Sequence, residues 1–242
     1  MCTLEKRGNI FFLTLTGDDD EHVLNPNLIG AIRSSLSHVR QQATAGCVLV
    51  TTAAQGKFFC NGFDFNWAKE AGESSAKIKR LRYMVEVFKP LIADLISLPM
   101  PTIAAVTGHA AAAGMILAMS HDYVMMGSYR GVMYMSELDI AITYPDFFTA
   151  VIRSKARSPM VMRDIMLKGM KVRAEEGVKM GMVDSAHDSR EKVVEAAMRL
   201  GEELGKRSWN GDVYAEIRKA MHQDLCGILS LTGKSIVASS RL

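Results

Sequence analysis

Residues 99–122, PMPTIAAVTGHAAAAGMILAMSHD, constrain the chain more than any other stretch. Pro99 and Pro101 close whatever precedes them. Thr102 to Val106 is a short apolar, partly β-branched run, which predicts a buried strand. Thr107-Gly108-His109 is a turn signal. Ala110 to Met119 follows as a buried helix with almost no side chain at its start. Small residues there let another chain or a ligand come close to the backbone. The unpaired N–H groups and the helix dipole at such an end favour developing negative charge. A close-packed core helix is the other reading of these residues alone.

A second stretch narrows the choice. Residues 56–65, GKFFCNGFDF, follow a strand at Val48 to Thr52. Asn61-Gly62 is a turn in which Gly62 can take a conformation closed to other residues. Together, K-F-F-x-N-G-x-D-F and the later P-T-I-A-A-V-x-G-x-A-x-x-x-G resemble the paired signatures of the crotonase (enoyl-CoA hydratase/isomerase) family. The resemblance runs over most of the chain. It implies an α/β fold: a crotonase-type ββα spiral core over 1–188, then a helical lid and trimerisation region over 189–235 and a flexible tail over 236–242. It also implies an acyl-CoA substrate and an oxyanion hole, with one backbone N–H from Phe63 and one from Ala113. Substrate or CoA contacts are carried over to His22, Val23, Cys60, Gly62, Asp64 and Phe65. His22 sits where relatives carry a basic residue against the CoA adenosine; an exposed loop histidine is the alternative.

Composition bounds the rest. The chain has 242 residues, 48% hydrophobic and 23% charged, which suits one soluble domain or one domain with an appendage. A net charge of +3 with no basic run gives no case for nucleic acid. Cys2, Cys47, Cys60 and Cys226 are scattered without metal-ligand spacing and read as free thiols in a reducing compartment, so no metal is expected. No apolar run is long enough to span a membrane, and Glu5-Lys6-Arg7 does not introduce a signal peptide. Ser240-Arg241-Leu242 is a variant of the tripeptide that addresses proteins to peroxisomes. The expectation is therefore a peroxisomal matrix protein that meets an import receptor through this tripeptide.

In chain order, Asn9 to Leu15 is a strand. Asn25 is an N-cap with Pro26 at the first position of a helix reaching about Arg40. Phe65 to Gly72 reads as a loop. Lys77 to Ser97 is an amphipathic helix that Pro90 should bend or break. Phe65, Trp67, Met84 and Phe88 fit either an acyl-chain pocket or the core. Tyr123 to Met126 and Gly131 to Tyr134 are further strands. Ser158-Pro159 starts a helix to about Leu167, and Glu175 to Met180 is a helix closed by Gly181. Met182-Val183-Asp184 resembles a short family strand. Ser189 to Gly205 and Asp212 to Leu229 are two terminal helices, which in relatives cover the active site and build a trimer, or a dimer of trimers.

Glu137 follows the strand ending at Tyr134, among Met133, Met135, Leu138 and Ile140. From the residues alone it is a helix cap or a surface group. The resemblance places it against the α-carbon of a bound thioester, where an apolar setting raises its pKa toward a proton shuttle's range. The second glutamate of hydratases falls on Ile116. Hydration needs two groups, whereas moving a double bond needs one base. The expected activity is thus a 3-enoyl-CoA to trans-2-enoyl-CoA isomerase serving β-oxidation, with no cofactor beyond the substrate's own CoA. Asp146 caps a helix or supplies a second acid–base group; the latter would admit a hydratase, a dienoyl-CoA isomerase or another thioester enzyme. A non-catalytic acyl-CoA-binding protein is the alternative from a different class. His121-Asp122 reads as a structural pair.

Overall fold

The computed structural model describes residues 1–17, 20–156 and 158–234; the tripeptide Ser240-Arg241-Leu242 lies outside them. Two sheets share the chain. The larger has six strands in the order β1-β2-β3-β5-β7-β9: β1 (Cys2–Arg7), β2 (Ile10–Leu15), β3 (Val48–Ala53), β5 (Thr102–Val106), β7 (Tyr123–Gly127) and β9 (Ser185–His187). Only β1 and β2 run antiparallel. The smaller sheet is parallel, in the order β4-β6-β8: β4 (Phe58–Cys60), β6 (His109–Ala111) and β8 (Met133–Tyr134). Each of β3, β5 and β7 is followed by a short strand of the second sheet. The chain climbs by repeating a long strand, a short strand and a helix, which is the ββα spiral.

The helices fill the turns of this spiral. They are α1 (Pro26–Gln41), α2 (Phe65–Lys69), α3 (Ser74–Ile96), α4 (Ala113–Met119), α5 (Asp146–Lys155), α6 (Pro159–Lys168) and α7 (Ala174–Met180), then α8 (Arg190–Lys206), α9 (Gly211–Met221) and α10 (Gln223–Ile228). Alternation decides which side of the large sheet each residue faces. Phe11, Leu13, Leu49, Ala104 and Val106 join the main core with α1, α3, α4 and α5. Ile10, Phe12, Val48, Val50, Ile103 and Ala105 face Val193 and Ala197 of α8. With both faces covered, β3 and β5 are apolar or small along their whole length. None of the helices over the described residues is long and apolar enough to cross a membrane.

Caps follow the sequence closely. Asn25 accepts from the Leu28 amide, Ser158 from Val161 and Ser189 from Lys192. Gly181 closes α7 in the left-handed conformation. Several expectations are corrected, among them the strand expected from Gly131, which begins at Met133. Ala110 and Ala111 are strand β6, because pairing with β4 and β8 overrides alanine's helix propensity. Residues 65–69 form helix α2, capped by Asp64, instead of a loop. Helix α3 runs unbroken through Pro90. The strand expected at 182–184 begins at Ser185. The last helix is two, divided at His222. His22 is no exposed loop histidine: it is 1% exposed, and its Nδ1 donates to the Phe58 carbonyl at 2.9 Å.

A buried cluster fixes the far end of the large sheet. Arg218, 3% exposed, donates to both Asp122 oxygens at 2.6 Å and to the carbonyls of Ile96, Leu98 and Met100. Asp122 also accepts from the Thr102 amide and hydroxyl. Burial alone would raise the Asp122 carboxyl, but the Arg218 charge and these hydrogen bonds hold it below its ordinary value. His121 Nδ1 donates to the Leu117 carbonyl and Nε2 accepts from the Thr51 hydroxyl. Burial brings its pKa down to about 4, so the ring is neutral. Both residues are structural, as read from the sequence.

Candidate active site

Two loops meet where β4 and β6 end. Gly62, at φ +79°, turns the first. The Leu24 amide donates to the Gly62 carbonyl at 2.7 Å, and the Asp64 amide to the Leu24 carbonyl at 3.1 Å. This pins the chain on both sides of Phe63 and leaves the Phe63 amide facing the other way. Ala112 turns the second loop at φ 49°, so that Ala113 opens α4. A first-turn amide has no partner inside its own helix. Among the described residues, neither the Phe63 nor the Ala113 amide donates to a backbone carbonyl.

Glycine brings the two loops together. A Cβ on Gly62 would stand 3.0 Å from the Ala111 carbonyl oxygen and 3.4 Å from the Ala113 nitrogen. A Cβ on Gly114 would lie 2.1 Å from the Cys60 carbonyl oxygen, an impossible contact. The helix start therefore rests directly on β4 because Gly114 has no side chain.

Two adjoining cavities open at this junction. The more polar one, about 700 Å³, carries Glu21, Asn61, Asp64, Asn66 and Lys69 together with apolar side chains that include Val23, Phe65, Ile140 and Ile142. The other, about 550 Å³, is mainly apolar and is walled by Ile78, Leu81, Val85, Ile140, Ile142, Tyr144 and Phe148. Phe63, Phe65, Ala112, Ser136, Ile140 and Ile142 line both. Their sizes suit a substrate with a polar arm and an apolar one.

Glu137 stands in the apolar cavity. It is 7% exposed, and its Oε2 is buried without a hydrogen-bond partner. Among the described residues it is the one buried carboxylate lining either cavity. Burial raises its pKa, against a smaller opposite pull from the amides of Glu137 and Ser136. The loop behind it is held by the Ile142 amide, which donates to the Glu137 carbonyl at 2.9 Å. Tyr144 borders the same cavity and donates to the Met166 carbonyl. A buried carboxylate lining an apolar cavity that Phe63 and Ala112 also line has the chemistry to take a proton, and amides without a backbone acceptor have the chemistry to meet the negative charge produced.

The remaining candidates divide. Val23, Asp64 and Phe65 line the polar cavity. Asp64 also caps α2, accepting from the Trp67 amide at 2.9 Å. Gly62 shapes the turn. Cys60 lines neither cavity; it is fully buried and its thiol is pushed up to about 12 by burial. His22 also lines neither and faces the interior. Asp146 accepts from the Phe147 amide at the start of α5 and is 64% exposed, outside both linings. Ile116 is fully buried in α4. Of the four residues weighed for an acyl pocket, Phe65 lines it, Met84 and Phe88 are core, and Trp67 lies under Arg80. Sequence reading placed Ile140 in the apolar setting of Glu137 but missed Ile78, Ile142 and Lys69. The signal for Ile78 was a second stripe on α3 beside the core-facing one, repeating at helical spacing through Leu81 and Val85.

The sequence model of the enoyl-CoA hydratase/isomerase family matches residues 5–231. Among curated proteins, a peroxisomal enoyl-CoA delta isomerase 2 of Arabidopsis thaliana is 55% identical over 232 residues, covering 96% of each chain. An enoyl-CoA delta isomerase 1 of the same plant, also named peroxisomal, is 50% identical over 93% of this chain and 91% of its own. A solved probable enoyl-CoA hydratase of Mycobacterium tuberculosis superposes with a TM-score of 0.82 at 20% identity, covering 95% of this chain and 91% of its own.

Proposed function

The chain belongs to the enoyl-CoA hydratase/isomerase family, and from that premise we propose that it isomerises 3-enoyl-CoA thioesters to trans-2-enoyl-CoA. The observation that carries this reading is Glu137: a single buried carboxylate, with one oxygen unpartnered, in an apolar cavity. The relatives named as enoyl-CoA delta isomerases support it.

In this mechanism the polar cavity takes the CoA arm, with Lys69 as a cation for it. The thioester oxygen sits between the Phe63 and Ala113 amides. Glu137 removes the α-proton, and the charge spreads into a dienolate ending on that oxygen. Each amide then contributes about 3–4 kcal/mol of barrier lowering. Protonated Glu137 returns the proton to the γ-carbon, which completes the shift of the double bond. Burial suits Glu137 to both halves, because it raises the pKa and so makes the carboxylate a stronger base and its acid form easier to reach.

Hydration would need a second group to hold water. Ile116 offers none, and Asp146 lies outside the cavities. The experiment is a paired assay on the purified chain. Turnover of trans-3-hexenoyl-CoA with little hydration of crotonyl-CoA supports the reading; dominant hydration, or binding with no turnover of either, overturns it. We further place the protein in peroxisomal β-oxidation as a trimer or dimer of trimers, on the names of the relatives and the family resemblance. Sedimentation tests the assembly.

A further inference from the structure

Helix α2 has five residues, too few to hold its shape alone, yet it carries part of the polar cavity. Phe65, Asn66 and Lys69, spaced to share one side of a helix, line that cavity, and Lys69 is the only cation among the described residues lining it. Asp64 caps the start of α2 through the Trp67 amide. The end of α2 has no such help from its own backbone. The Ala71 amide, which would reach the Trp67 carbonyl in a continued helix, donates to the Ala68 carbonyl instead. Arg80 of α3 supplies what is missing. Its Nη1 donates to the Trp67 carbonyl at 2.5 Å, and its guanidinium carbon lies 4.7 Å from the centre of the Trp67 ring. The same nitrogen stands 3.7 Å from a Glu70 carboxylate oxygen. Tyr83, three residues on, sets its ring 6.4 Å from that of Trp67. A cation here also meets the negative end of the α2 dipole. One guanidinium thus engages the ring, the backbone and the flanking carboxylate of α2 together.

We propose that Arg80 is a positioning residue for the CoA arm: by fixing the end of α2 it holds Asn66 and Lys69 at the polar cavity and so sets the affinity for the CoA portion of the thioester. The inference deepens the proposed function and rests on it for the occupant of that cavity. Arg80 itself lines neither cavity, so its part is played through α2. Glu137 sits on a different segment, after β8, held by the Ile142 amide. Loss of Arg80 therefore acts on binding of the arm and leaves proton transfer in place. Lysine keeps the charge at this position but has no flat face to lay on an indole and no fork to share between a carbonyl and a carboxylate.

The test compares the wild type, Arg80→Ala and Arg80→Lys, with melting curves confirming that each is folded. Kd for free CoA is measured by calorimetry. Values of kcat and KM are measured for trans-3-hexenoyl-CoA and for its N-acetylcysteamine thioester, which lacks the nucleotide. The proposal predicts that Arg80→Ala weakens CoA binding about tenfold or more and raises KM for the CoA thioester by a similar factor, with kcat changed by about threefold or less. Arg80→Lys should recover part of the loss; if Arg80→Ala does not fold, a rise of about threefold or more in Kd for Arg80→Lys carries the test. The truncated thioester should show the same kcat/KM in all three proteins, since it has no nucleotide arm for α2 to meet. A role in stability alone would lower the melting temperature with Kd for CoA unchanged, or depress both thioesters equally; either result overturns the proposal. Failure of the isomerase reading looks different: Kd for CoA would still respond to Arg80 while the wild type turns over neither thioester.

Discussion

Glu137 shows how much one residue's setting adds to its identity. The sequence supplies a carboxylate after an apolar strand; the fold buries it to 7% exposure and leaves Oε2 unpaired. Its pKa is raised, so the folded state holds that proton more tightly than the unfolded chain. The penalty for the buried charge is therefore present above the folded pKa and disappears as pH falls below the ordinary value of 4.5. Glu137→Gln is expected to stabilise the protein at pH 7, because it removes the buried negative charge. Melting curves at pH 7 and near pH 4.5 check this, and the advantage should shrink at the lower pH. Isomerase kcat/KM should fall on the acid side as Glu137 protonates, with its midpoint above that of an ordinary glutamate. At Gly114 the fold leaves no space at all, so Gly114→Ala should separate α4 from β4. A large drop in both melting temperature and isomerase rate is expected there.

At the scale of elements, the legible parts were those with local chemistry. Asn25, Ser158 and Ser189 caps and the Gly181 stop are written in single residues, and the helices begin or end beside them. The illegible parts depend on distant partners. Ala110 and Ala111 carry no strand signal of their own and become β6 only because β4 and β8 flank them. Pro90 fails to break α3 for a physical reason. The carbonyl it deprives of a donor belongs to Glu86, an exposed residue that water can satisfy. The break at His222 has no glycine or proline to announce it. Arg218 is the strongest case: an arginine midway along an amphipathic helix reads as surface, yet it ties α9 to Asp122 and three carbonyls. Arg218→Met should destabilise the protein by about 3–5 kcal/mol, measured by denaturant unfolding, because Asp122 is then buried without its cation. In the wild type the Asp122 contribution is present above its unfolded pKa. It is lost as pH falls through the depressed folded value.

At the scale of the molecule, the spiral explains why sequence-distant motifs become one site. Stacking β4, β6 and β8 in a small parallel sheet places the Gly62 turn, the start of α4 and the segment after β8 side by side. The order and chemistry of the two motifs made this assembly legible through the family resemblance. The cavity walls were less so, since apolar residues in α3 and after Glu137 look the same whether they face a core or a ligand. The position of His22 was not legible either: its burial follows from a contact with β4 that no local pattern encodes. The proposed peroxisomal location makes its own prediction. Removing Ser240-Arg241-Leu242 from a fluorescent fusion that ends on it should move the signal from peroxisomes to the cytosol, and unchanged targeting would refute the tripeptide's role.

The central claim is that Glu137 alone carries the proton. The direct measurement is kcat/KM for trans-3-hexenoyl-CoA, followed at the conjugated-thioester absorbance, for the wild type and Glu137→Gln with folding verified. The account predicts a fall of about 10²–10⁴-fold or more in the variant, with thioester binding retained. Equal rates would contradict it and take Glu137 out of the chemistry.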